Sequence, residues 1–446
     1  MGVHASSRKA LAILLLALGL AACPLRAASR PAHPPQLPVI HVENGPNSAA
    51  ARKAHYVVLV SLDGFRWDYA RRDHADHLLA LGREGVWAPE GMLPSYPSLT
   101  FPNHYAIVTG LYPEHNGLVA NRFLDADAKS RYAINDPHAV TDGQWYRGVP
   151  LWSLAESQGM RTACFFWPGS EAKIAGFLPT YSLRFNDKID DNARIGQVIA
   201  WLNLPPAERP HFITLYYSEP DHEGHEFGPD APETRAAVRK VDGLVGRLKS
   251  ALDATGLPVD LVVVSDHGMA KTEGSWITLD KFADLSGFET DGSLLYGKTE
   301  ADRQRVYDEL KKASPQFMVF RRARVPAALH YDENPREGDP VVIATGPYAI
   351  RAHGPPAGAA DRGPIPGMHG FDPRTMPEMK ASFFAAGPDI LPGGTVRPFE
   401  NVNLYPWIAH MLGLRPAKND GSLNILAGTL RDGGGEAAHG PVDGHE

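Results

Sequence analysis

Short apolar runs separated by amphipathic segments make up most of the chain. The runs that suit buried strands lie at residues 56–62, 161–167, 211–217, 259–265 and 380–386. Continuous apolar character is typical of parallel strands that are covered on both faces. Helical patterns lie between several of the runs, and the clearest covers residues 231–254. The alternation predicts an α/β fold with a mostly parallel central sheet and helices on both of its faces.

Two stretches interrupt this alternation. Residues 121–150 are loop-like and aromatic, and residues 270–367 mix short strand patterns with proline and glycine. We expect both to be small inserted cap segments in a folded domain of residues 55–431. Residues 24–54 are rich in Pro, Ala and Ser, which predicts a flexible tether. The Gly-, His- and acid-rich residues 432–446 predict a disordered tail.

The first 23 residues have the pattern of an export signal. Arg8 and Lys9 precede an apolar stretch at residues 10–22 that is too short to span a bilayer. The sequence Leu20-Ala-Ala-Cys23 resembles a bacterial lipoprotein signal, in which the cysteine becomes the lipidated first residue. We therefore expect a signal peptide over residues 1–23, membrane attachment through lipidated Cys23 and a periplasmic location. Ordinary cleavage nearby, with Cys23 discarded, is the alternative and also predicts export.

Charge and cysteine content narrow the classes of partner and the sources of stability. The formal net charge of −7 argues against a nucleic acid as a stable partner, because nucleic-acid-binding surfaces are normally basic. Single nucleotides stay open as substrates, since a bound dication reverses the local field. Cys23 and Cys164 are the two cysteines, and we expect no disulfide between them. Stability must then come from the hydrophobic core.

Side chains that can bind metals follow several of the predicted strands. Asp63 and Gly64 come directly after the first run, and Asp266 and His267 follow the very apolar run that begins at residue 259. For Asp63 alone, a helix-capping role is the simpler interpretation. An adjacent Asp and His at a strand end are hard to explain by packing, because buried polar groups need partners.

Three further residues fit the same kind of site. Asp221 and His225 lie four residues apart after the run at 211–217, a spacing that suits one divalent ion but is weak alone. His369 stands in a Gly-rich turn, where a loop histidine and a metal ligand are equally good interpretations. Because the carboxyl ends of parallel strands meet at one sheet edge, we expect all of these residues to gather there.

Thr100 has the most specific local context. It precedes Phe101 and a proline, and the helix pattern that follows ends at Gly110. We expect Thr100 at the N-terminus of this helix, where free backbone N–H groups and the helix dipole attract a phosphate. A plain helix cap explains the threonine equally well, so its interpretation as a nucleophile depends on the other motifs.

Taken together, the motifs closely resemble the nucleotide pyrophosphatase/phosphodiesterase family of the alkaline phosphatase superfamily. The resemblance extends from about residue 56 to residue 426 and looks nearest to the compact bacterial members. It implies an alkaline-phosphatase-like fold. The segments that carry it, in the family's order, are Asp63-Gly, Thr100-Phe-Pro-Asn-His-Tyr, the Asp221/His225 pair, Ser265-Asp-His-Gly-Met and His369-Gly.

The resemblance also implies a cofactor of two Zn²⁺ ions and a set of substrate contacts. For one ion the implied ligands are Asp221, His225 and His369. For the other they are Asp63, Asp266, His267 and the Thr100 oxygen. Asn121 matches the family's donor to a phosphate oxygen. The aromatic positions that pack on a nucleobase are matched by Phe101 and Tyr216, with Phe185 as a third candidate.

We therefore expect an enzyme that hydrolyses nucleotide phosphodiester or pyrophosphate bonds and releases nucleoside 5′-monophosphates. Thr100 is expected to attack phosphorus and form a phospho-threonine ester. Asn121 and a backbone N–H near Thr100 are expected to hold the non-bridging oxygens. The expected partner is a small nucleotide or another phosphodiester substrate.

Other functions remain as alternatives at this point. A choline-phosphate or lysophospholipid diesterase could use the same metal core, because Phe101 and Tyr216 also suit a quaternary ammonium. A sulfatase is disfavoured, since Leu99 stands where the sulfatase signature has arginine. A non-catalytic binding protein is disfavoured because the nucleophile and every implied ligand are intact.

Overall fold

The computed structural model describes residues 37–431 with the exception of residues 126, 128 and 357. The chain divides into two units, residues 1–38 and residues 39–446, and the folded domain lies in the second unit. The predicted signal peptide of residues 1–23, with Cys23, and the predicted tail of residues 432–446 lie outside the described residues.

The strands of the described residues form one large sheet and five two-stranded sheets. In chain order they are β1 Ile40–His41, β2 Tyr56–Leu62, β3 Val86–Trp87, β4 Arg122–Asp125, β5 Ser130–Ala133, β6 Thr162–Phe165, β7 Tyr181–Leu183, β8 Phe212–Tyr217, β9 Val259–Val264, β10 Ala270–Lys271, β11 Glu273–Thr278, β12 Phe288–Asp291, β13 Leu294–Gly297, β14 Phe317–Phe320, β15 Val341–Ala344, β16 Tyr348–Arg351, β17 Gly367–Met368, β18 Phe383–Ala386 and β19 Gly394–Thr395.

The large sheet is mostly parallel, as the apolar runs predict. Its order is β1-β7-β6-β8-β2-β9-β18-β3-β19. The five strands from β7 to β9 are parallel to one another, whereas β1 and β18 join as antiparallel strands. The register places Leu62 opposite Tyr217 and Ser61 opposite Val264. The carboxyl ends of β2, β8 and β9 therefore meet at the same edge of the sheet.

Both faces of the central strand are covered. Successive side chains of a strand point to opposite faces, so Val57 and Leu59 lie on one face and Val58 and Val60 on the other. All four side chains are fully buried. This explains why β2 is continuously apolar and does not alternate with polar residues.

Most helices of the described residues pack around this sheet, whereas α5 and α10 pack on the small strand pairs of the inserted segments. In chain order they are α1 Tyr69–Arg72, α2 Asp76–Glu84, α3 Thr100–Thr109, α4 Pro113–Asn116, α5 Pro137–Thr141, α6 Leu151–Ser157, α7 Asp191–Leu202, α8 Asp221–Phe227, α9 Pro232–Ala254, α10 Glu300–Leu310 and α11 Leu404–Met411. The helix predicted at residues 231–254 is confirmed as α9, which buries its apolar face against α2, α7 and α8.

The two predicted inserted segments form small structures outside the large sheet. The segment of residues 121–150 contains the β4–β5 hairpin and α5. The segment of residues 270–367 contains the hairpins β12–β13 and β14–β15, the parallel pair β11–β16 and helix α10. The second segment also has its own small core, which includes Leu279, Leu295, Val306 and Leu310.

The predicted flexible tether needs correction over residues 39–54. Strand β1 pairs with β7 at the edge of the large sheet. The buried Asn47 side chain donates hydrogen bonds to the carbonyl oxygens of Pro206 and Arg209, at 3.0 and 2.6 Å. These residues therefore belong to the folded domain. Composition misled the prediction because backbone pairing and one buried amide hold this segment, without a long apolar run.

Within residues 37–431, apart from the three residues that are not described, no helix has both the length and the apolar character that are needed to cross a bilayer.

One buried guanidinium joins the two inserted segments to the region before β4. Arg336 is only 6% exposed. It contacts Asp125 at 2.8 Å and donates hydrogen bonds of 2.9 Å to the backbone carbonyls of Gly117 and Trp145. Its charge also lies 5.2 Å from the centre of the Trp145 ring. The loops next to the site are therefore held by one side chain.

Substituting Arg336→Met keeps the apolar stem and removes these hydrogen bonds. Because two buried carbonyl acceptors lose their donor, we expect the free energy of unfolding to fall by about 2–4 kcal/mol. Urea-induced unfolding measures this change. Lys249→Met is the control, since the partly exposed pair of Lys249 with Asp253 should contribute only about 0.3–0.5 kcal/mol. Equal, small losses in both variants would contradict the proposed anchoring role.

Candidate active site

Three carboxylates meet at the carboxyl edge of the large sheet. Asp63 follows β2, Asp266 follows β9 after one serine, and Asp221 is the first residue of α8, beyond β8. Backbone hydrogen bonds fix their relative positions: Asp63 N–H donates to the Tyr217 carbonyl at 3.0 Å, and Asp221 N–H donates to the Asp63 carbonyl at 3.1 Å. The sheet register therefore brings together side chains that lie far apart in the sequence.

Gly64 allows this close approach. Its φ of +65° lies in the left-handed region, and an added Cβ would lie 2.9 Å from the Cβ of Asp221. Its N–H donates a 3.1 Å hydrogen bond to Oδ1 of Asp266. A residue with a side chain at this position would therefore push Asp221 out of place.

Thr100 begins helix α3, as the sequence predicts, and the helix ends at Gly110 in the left-handed conformation. Residue Leu99 before it is extended. The Thr100 hydroxyl oxygen, Oγ1, lies 3.2 Å from Nε2 of His267. Thr100, the candidate nucleophile, thus lies between the N-terminus of α3 and the cluster formed by Asp63, Asp221 and Asp266.

Asp221 belongs to two groups of side chains whose nitrogen and oxygen atoms could bind a metal ion. One group contains Asp221, His225 and His369, and the other contains Asp63, Asp221 and His267. In the first group, Asp221 lies 3.3 Å from Nε2 of His225 and 3.6 Å from Nε2 of His369. In the second, Nε2 of His267 lies 3.5 Å from Oδ1 of Asp63. Asp266 lies beside the second group, with Oδ2 at 3.0 Å from the same His267 nitrogen.

The three imidazoles are oriented by the backbone. The Nδ1 atoms of His225, His267 and His369 lie 2.8, 2.9 and 2.9 Å from carbonyl oxygens. A carbonyl can only accept, so this arrangement assigns the proton to Nδ1 and turns the Nε2 lone pair toward the carboxylates. Burial and the other two imidazoles also hold the pKa of His369 well below its usual range. Such backbone hydrogen bonds are typical of histidines that bind metals.

The electrostatics of this cluster of carboxylates and imidazoles also favour the binding of a cation. Burial and the carboxylates of Asp266 and Asp221 raise the pKa of Asp63 well above its usual range. Burial also raises the pKa of Asp266, but the imidazoles of His267 and His104 outweigh it and hold that pKa well below the usual value. Carboxylates that crowd together without water are stable as anions only when positive charge lies between them.

Several oxygen atoms in the group lack a protein donor. Within the described residues, Oδ1 of Asp63, Oδ1 of Asp221 and Oδ2 of Asp266 are buried and have no hydrogen-bond partner. Buried acceptors of this kind are normally satisfied, so these atoms point to a ligand that binds oxygen. Three carboxylates, three oriented imidazoles and one hydroxyl are a donor set that fits two divalent metal ions.

Asn121 and Phe101 lie beside the nucleophile. Oδ1 of Asn121 accepts a 3.0 Å hydrogen bond from the Phe101 N–H, which leaves the Nδ2 amide as a donor. The Phe101 N–H is therefore engaged within the protein. The N–H of Thr100 has no intrahelical acceptor, because it is the first residue of α3. The backbone N–H that we expect to bind a phosphate oxygen is therefore that of Thr100.

An aromatic cavity of about 600 Å³ adjoins the cluster of carboxylates, with Asp63 and Asp221 in its lining. Tyr216 lines it, and its hydroxyl donates a 2.6 Å hydrogen bond to Oδ2 of Asp63. The exposed Phe185 ring lies 6.1 Å from the Tyr216 ring, centre to centre. We call this space the aromatic cavity. Its aromatic walls are Phe101, Phe166, Trp167, Phe185 and Tyr216.

Sequence reasoning gave His104 no role, although it lies within the most specific motif. The structure places it, fully buried, between three parts of the site. Its Nε2 lies 2.8 Å from the Ser61 hydroxyl, and its Nδ1 lies 2.8 Å from the Thr100 carbonyl and 3.3 Å from Oδ2 of Asp266. The spacing of Thr100 and His104, one helical turn apart, is a signal that could have revealed it.

Asn103 is a second residue that the sequence analysis did not single out. Its side chain accepts a 2.7 Å hydrogen bond from the Ser95 N–H. It also donates to the carbonyl oxygens of Ser95, Pro97 and Leu99 at 3.0–3.2 Å. These bonds hold the loop that leads into Thr100, so the position of the nucleophile depends on a buried amide.

Known proteins resemble this chain in sequence. The chain matches the family model of type I phosphodiesterase / nucleotide pyrophosphatase over residues 57–372. Human ectonucleotide pyrophosphatase/phosphodiesterase family member 7 is 35% identical over 392 residues, which cover 83% of this chain and 82% of the relative. Human family member 1 is 32% identical over 414 residues, which cover 87% of this chain and 43% of that longer relative.

Solved structures agree with the sequence matches. Murine ectonucleotide pyrophosphatase/phosphodiesterase 5, studied as an inactive threonine-to-alanine variant in complex with AMP, matches with a TM-score of 0.78 and 29% identity. The match covers 84% of this chain and 100% of that chain. The expected alkaline-phosphatase-like fold is therefore confirmed. The chain belongs to the type I phosphodiesterase / nucleotide pyrophosphatase family and is a hydrolase of that class.

Proposed function

We propose that this enzyme uses two zinc ions to hydrolyse nucleotide phosphodiester or pyrophosphate bonds, and that it releases nucleoside 5′-monophosphates through a phospho-threonine intermediate. The observation that carries the proposal is the position of Thr100. Its hydroxyl lies at a helix N-terminus, 3.2 Å from the imidazole of His267 and beside a group of unsatisfied carboxylate oxygens. A nucleophile, an anion-binding helix end and a metal donor set thus occur together.

The donor set divides naturally between two ions. Asp221, His225 and His369 would hold one, and Asp63, Asp266, His267 and Thr100 would hold the other. Three imidazoles favour zinc over magnesium, which prefers oxygen ligands. When bound, the ions supply Lewis-acid chemistry that favours ionisation of a hydroxyl and stabilises charge on a departing oxygen.

The protein's own groups then account for the two chemical steps. Thr100 Oγ1 forms a bond to phosphorus while the bond from phosphorus to the leaving oxygen breaks, and the leaving group takes up a proton. A water molecule next forms a bond to phosphorus, the bond to Thr100 breaks, and the threonine hydroxyl is restored. One water is consumed in total. The Nδ2 amide of Asn121 and the N–H of Thr100 donate hydrogen bonds to the non-bridging phosphate oxygens, whose negative charge increases in the transition state of each step.

Two features of the relatives support this assignment. The murine family member 5 structure contains AMP, a nucleoside 5′-monophosphate, and the inactive variant in that structure lacks a threonine. In this chain the aromatic cavity lies directly beside Thr100, with the Phe101 and Tyr216 rings in its walls. Because we propose that the nucleoside binds there, we call it the nucleoside cavity. A base stacked on these rings would place its 5′-phosphate next to the hydroxyl.

A substrate comparison tests the proposal directly. Zinc-loaded protein should hydrolyse p-nitrophenyl thymidine 5′-phosphate with a kcat/KM at least about tenfold above that for p-nitrophenyl phosphate or p-nitrophenylphosphocholine. All three share one leaving group, so the ratio reports recognition of the other substituent on phosphorus. A preference for the choline ester would replace the nucleotide assignment with the choline-phosphate diesterase alternative.

The substitution Thr100→Ala tests the nucleophile. We expect kcat to fall by at least about 10³-fold, because the hydroxyl that forms the ester is lost. The zinc content, measured by mass spectrometry, should stay close to that of the wild type, because the proposed carboxylate and imidazole ligands are all retained. Rapid quenching of the wild-type protein should reveal a nucleotidyl adduct on the peptide that contains Thr100. Activity that survives in Thr100→Ala would contradict the assignment.

Two variants of Asn121 separate its catalytic and structural contributions. Asn121→Ala should lower kcat by about 10²–10³-fold, because one donor to the developing negative charge is lost. Asn121→Asp keeps the oxygen that accepts the Phe101 N–H but replaces the donor with a carboxylate. We therefore expect a loss in kcat at least as large, with the melting temperature unchanged. Near-normal turnover by Asn121→Asp would show that the residue only supports the loop.

A further inference from the structure

A second cavity opens beside the catalytic group. It has a volume of about 380 Å³ and begins at Asn121 and His369, whereas the nucleoside cavity begins at Thr100 and Asp221. The two cavities share no lining residue. A diester has two substituents on phosphorus, so two separate cavities that each reach residues of the proposed site can receive one substituent each.

The walls of the second cavity come mostly from the inserted segment of residues 270–367. We call it the insertion cavity. The β12–β13 turn contributes Ser293, and strand β15 contributes all four of its apolar residues. Much of the remaining surface is aromatic or aliphatic. The apolar and aromatic side chains that define the cavity include Trp276, Leu294, Tyr331, Val341, Ile343 and Phe371.

Positive charge in the insertion cavity is already neutralised. Among the described lining residues, the guanidinium groups are those of Arg122 and Arg351. Arg122 pairs with Asp291 at 3.0 Å, and Arg351 pairs with Asp361 at 2.8 Å. Arg351 also lies 5.2 Å from the centre of the Trp276 ring, which occupies its planar face. An incoming polyphosphate would find no unpaired guanidinium among these residues.

The lining also contains a buried carboxyl group. Glu337 is fully buried, and neither of its carboxyl oxygens has a hydrogen-bond partner among the described residues. Burial, reinforced by Glu114, raises the pKa of Glu337 to about 9. A neutral carboxyl adds no charge to the wall of the cavity. An ionised leaving group would gain nothing from it.

We propose that the insertion cavity is the subsite for the leaving group, and that it takes an uncharged, ring-bearing alcohol such as the second nucleoside of a dinucleotide. The proposal rests on the nucleotide diesterase function proposed above and names its substrate class. Cavities of a few hundred Å³ with apolar walls and few polar groups are typical of sites for small organic ligands. Inorganic pyrophosphate would be bound less well here, because it needs unpaired cations.

The turn residue Ser293 offers a direct test. The two substrates are thymidylyl-(3′→5′)-thymidine, whose leaving group is thymidine, and dTTP, whose leaving group is pyrophosphate. Both release thymidine 5′-monophosphate, so the nucleoside cavity is used in the same way. In Ser293→Trp, the indole fills part of the insertion cavity. The ratio of kcat/KM for the dinucleotide to kcat/KM for dTTP should fall by at least about tenfold.

A charged variant extends the test to the polarity of the cavity. Ser293→Arg adds a cation without an assigned acidic partner, so the dTTP value should rise and the dinucleotide value should fall. The ratio should again decrease by at least about tenfold. Ser286→Trp and Ser286→Arg are the matched controls, because Ser286 is an exposed residue of the same inserted segment outside the cavity. The ratio in both controls should equal the wild-type ratio.

The outcomes separate the two proposals. If wild-type protein cleaves both substrates and the ratio is unchanged in both Ser293 variants, the leaving-group assignment is wrong while the diesterase function stands. The same conclusion follows if the Ser286 controls lower the ratio equally. If zinc-loaded wild-type protein releases thymidine 5′-monophosphate from neither substrate, the proposed function itself is wrong and the inference falls with it.

Discussion

The mutual repulsion of Asp63, Asp221 and Asp266 is the constraint on which the site depends. The ends of three strands bring these carboxylates together in a region from which water is largely excluded. Burial opposes ionisation, and each neighbouring carboxylate opposes it further. Buried carboxylates of this kind persist in native proteins when cations or strong donors balance them. The oriented imidazoles and the hydroxyl of Thr100 complete the surroundings that such cations need.

Much of the neighbouring structure serves to maintain this arrangement. Parallel pairing of β2 with β8 and β9 sets the distances between the carboxylates, and Gly64 leaves room for Asp221. His104 connects helix α3 to the strand that carries Asp266. Asn103 holds the loop before Thr100 by four hydrogen bonds. A catalytic group on rigid elements keeps its geometry between turnovers, which is the condition for electrostatic preorganisation.

The large sheet and the inserted segments have different roles. The sheet holds the reacting groups, and the chemistry that it supports is common to the family. The inserted segments build the walls of the insertion cavity, while the loops after β6 and β7 contribute to the nucleoside cavity. Both cavities are therefore built largely by parts of the chain that carry none of the proposed metal ligands. Arg336 joins the two inserted segments to each other and to the region before β4 through one buried residue.

The sequence by itself determined the mostly parallel sheet, the helix that begins at Thr100 and the residues that meet at the sheet edge. These features depend on local apolar patterns and short motifs, which involve residues that are close together in the sequence. Only the tertiary structure decided that residues 39–54 join the fold, that the Phe101 N–H is engaged by Asn121, and that His104 touches both the nucleophile's helix and Asp266. It also revealed the insertion cavity. Each of these depends on contacts between residues far apart in the chain, for which hydrophobic periodicity and motif spacing carry no signal.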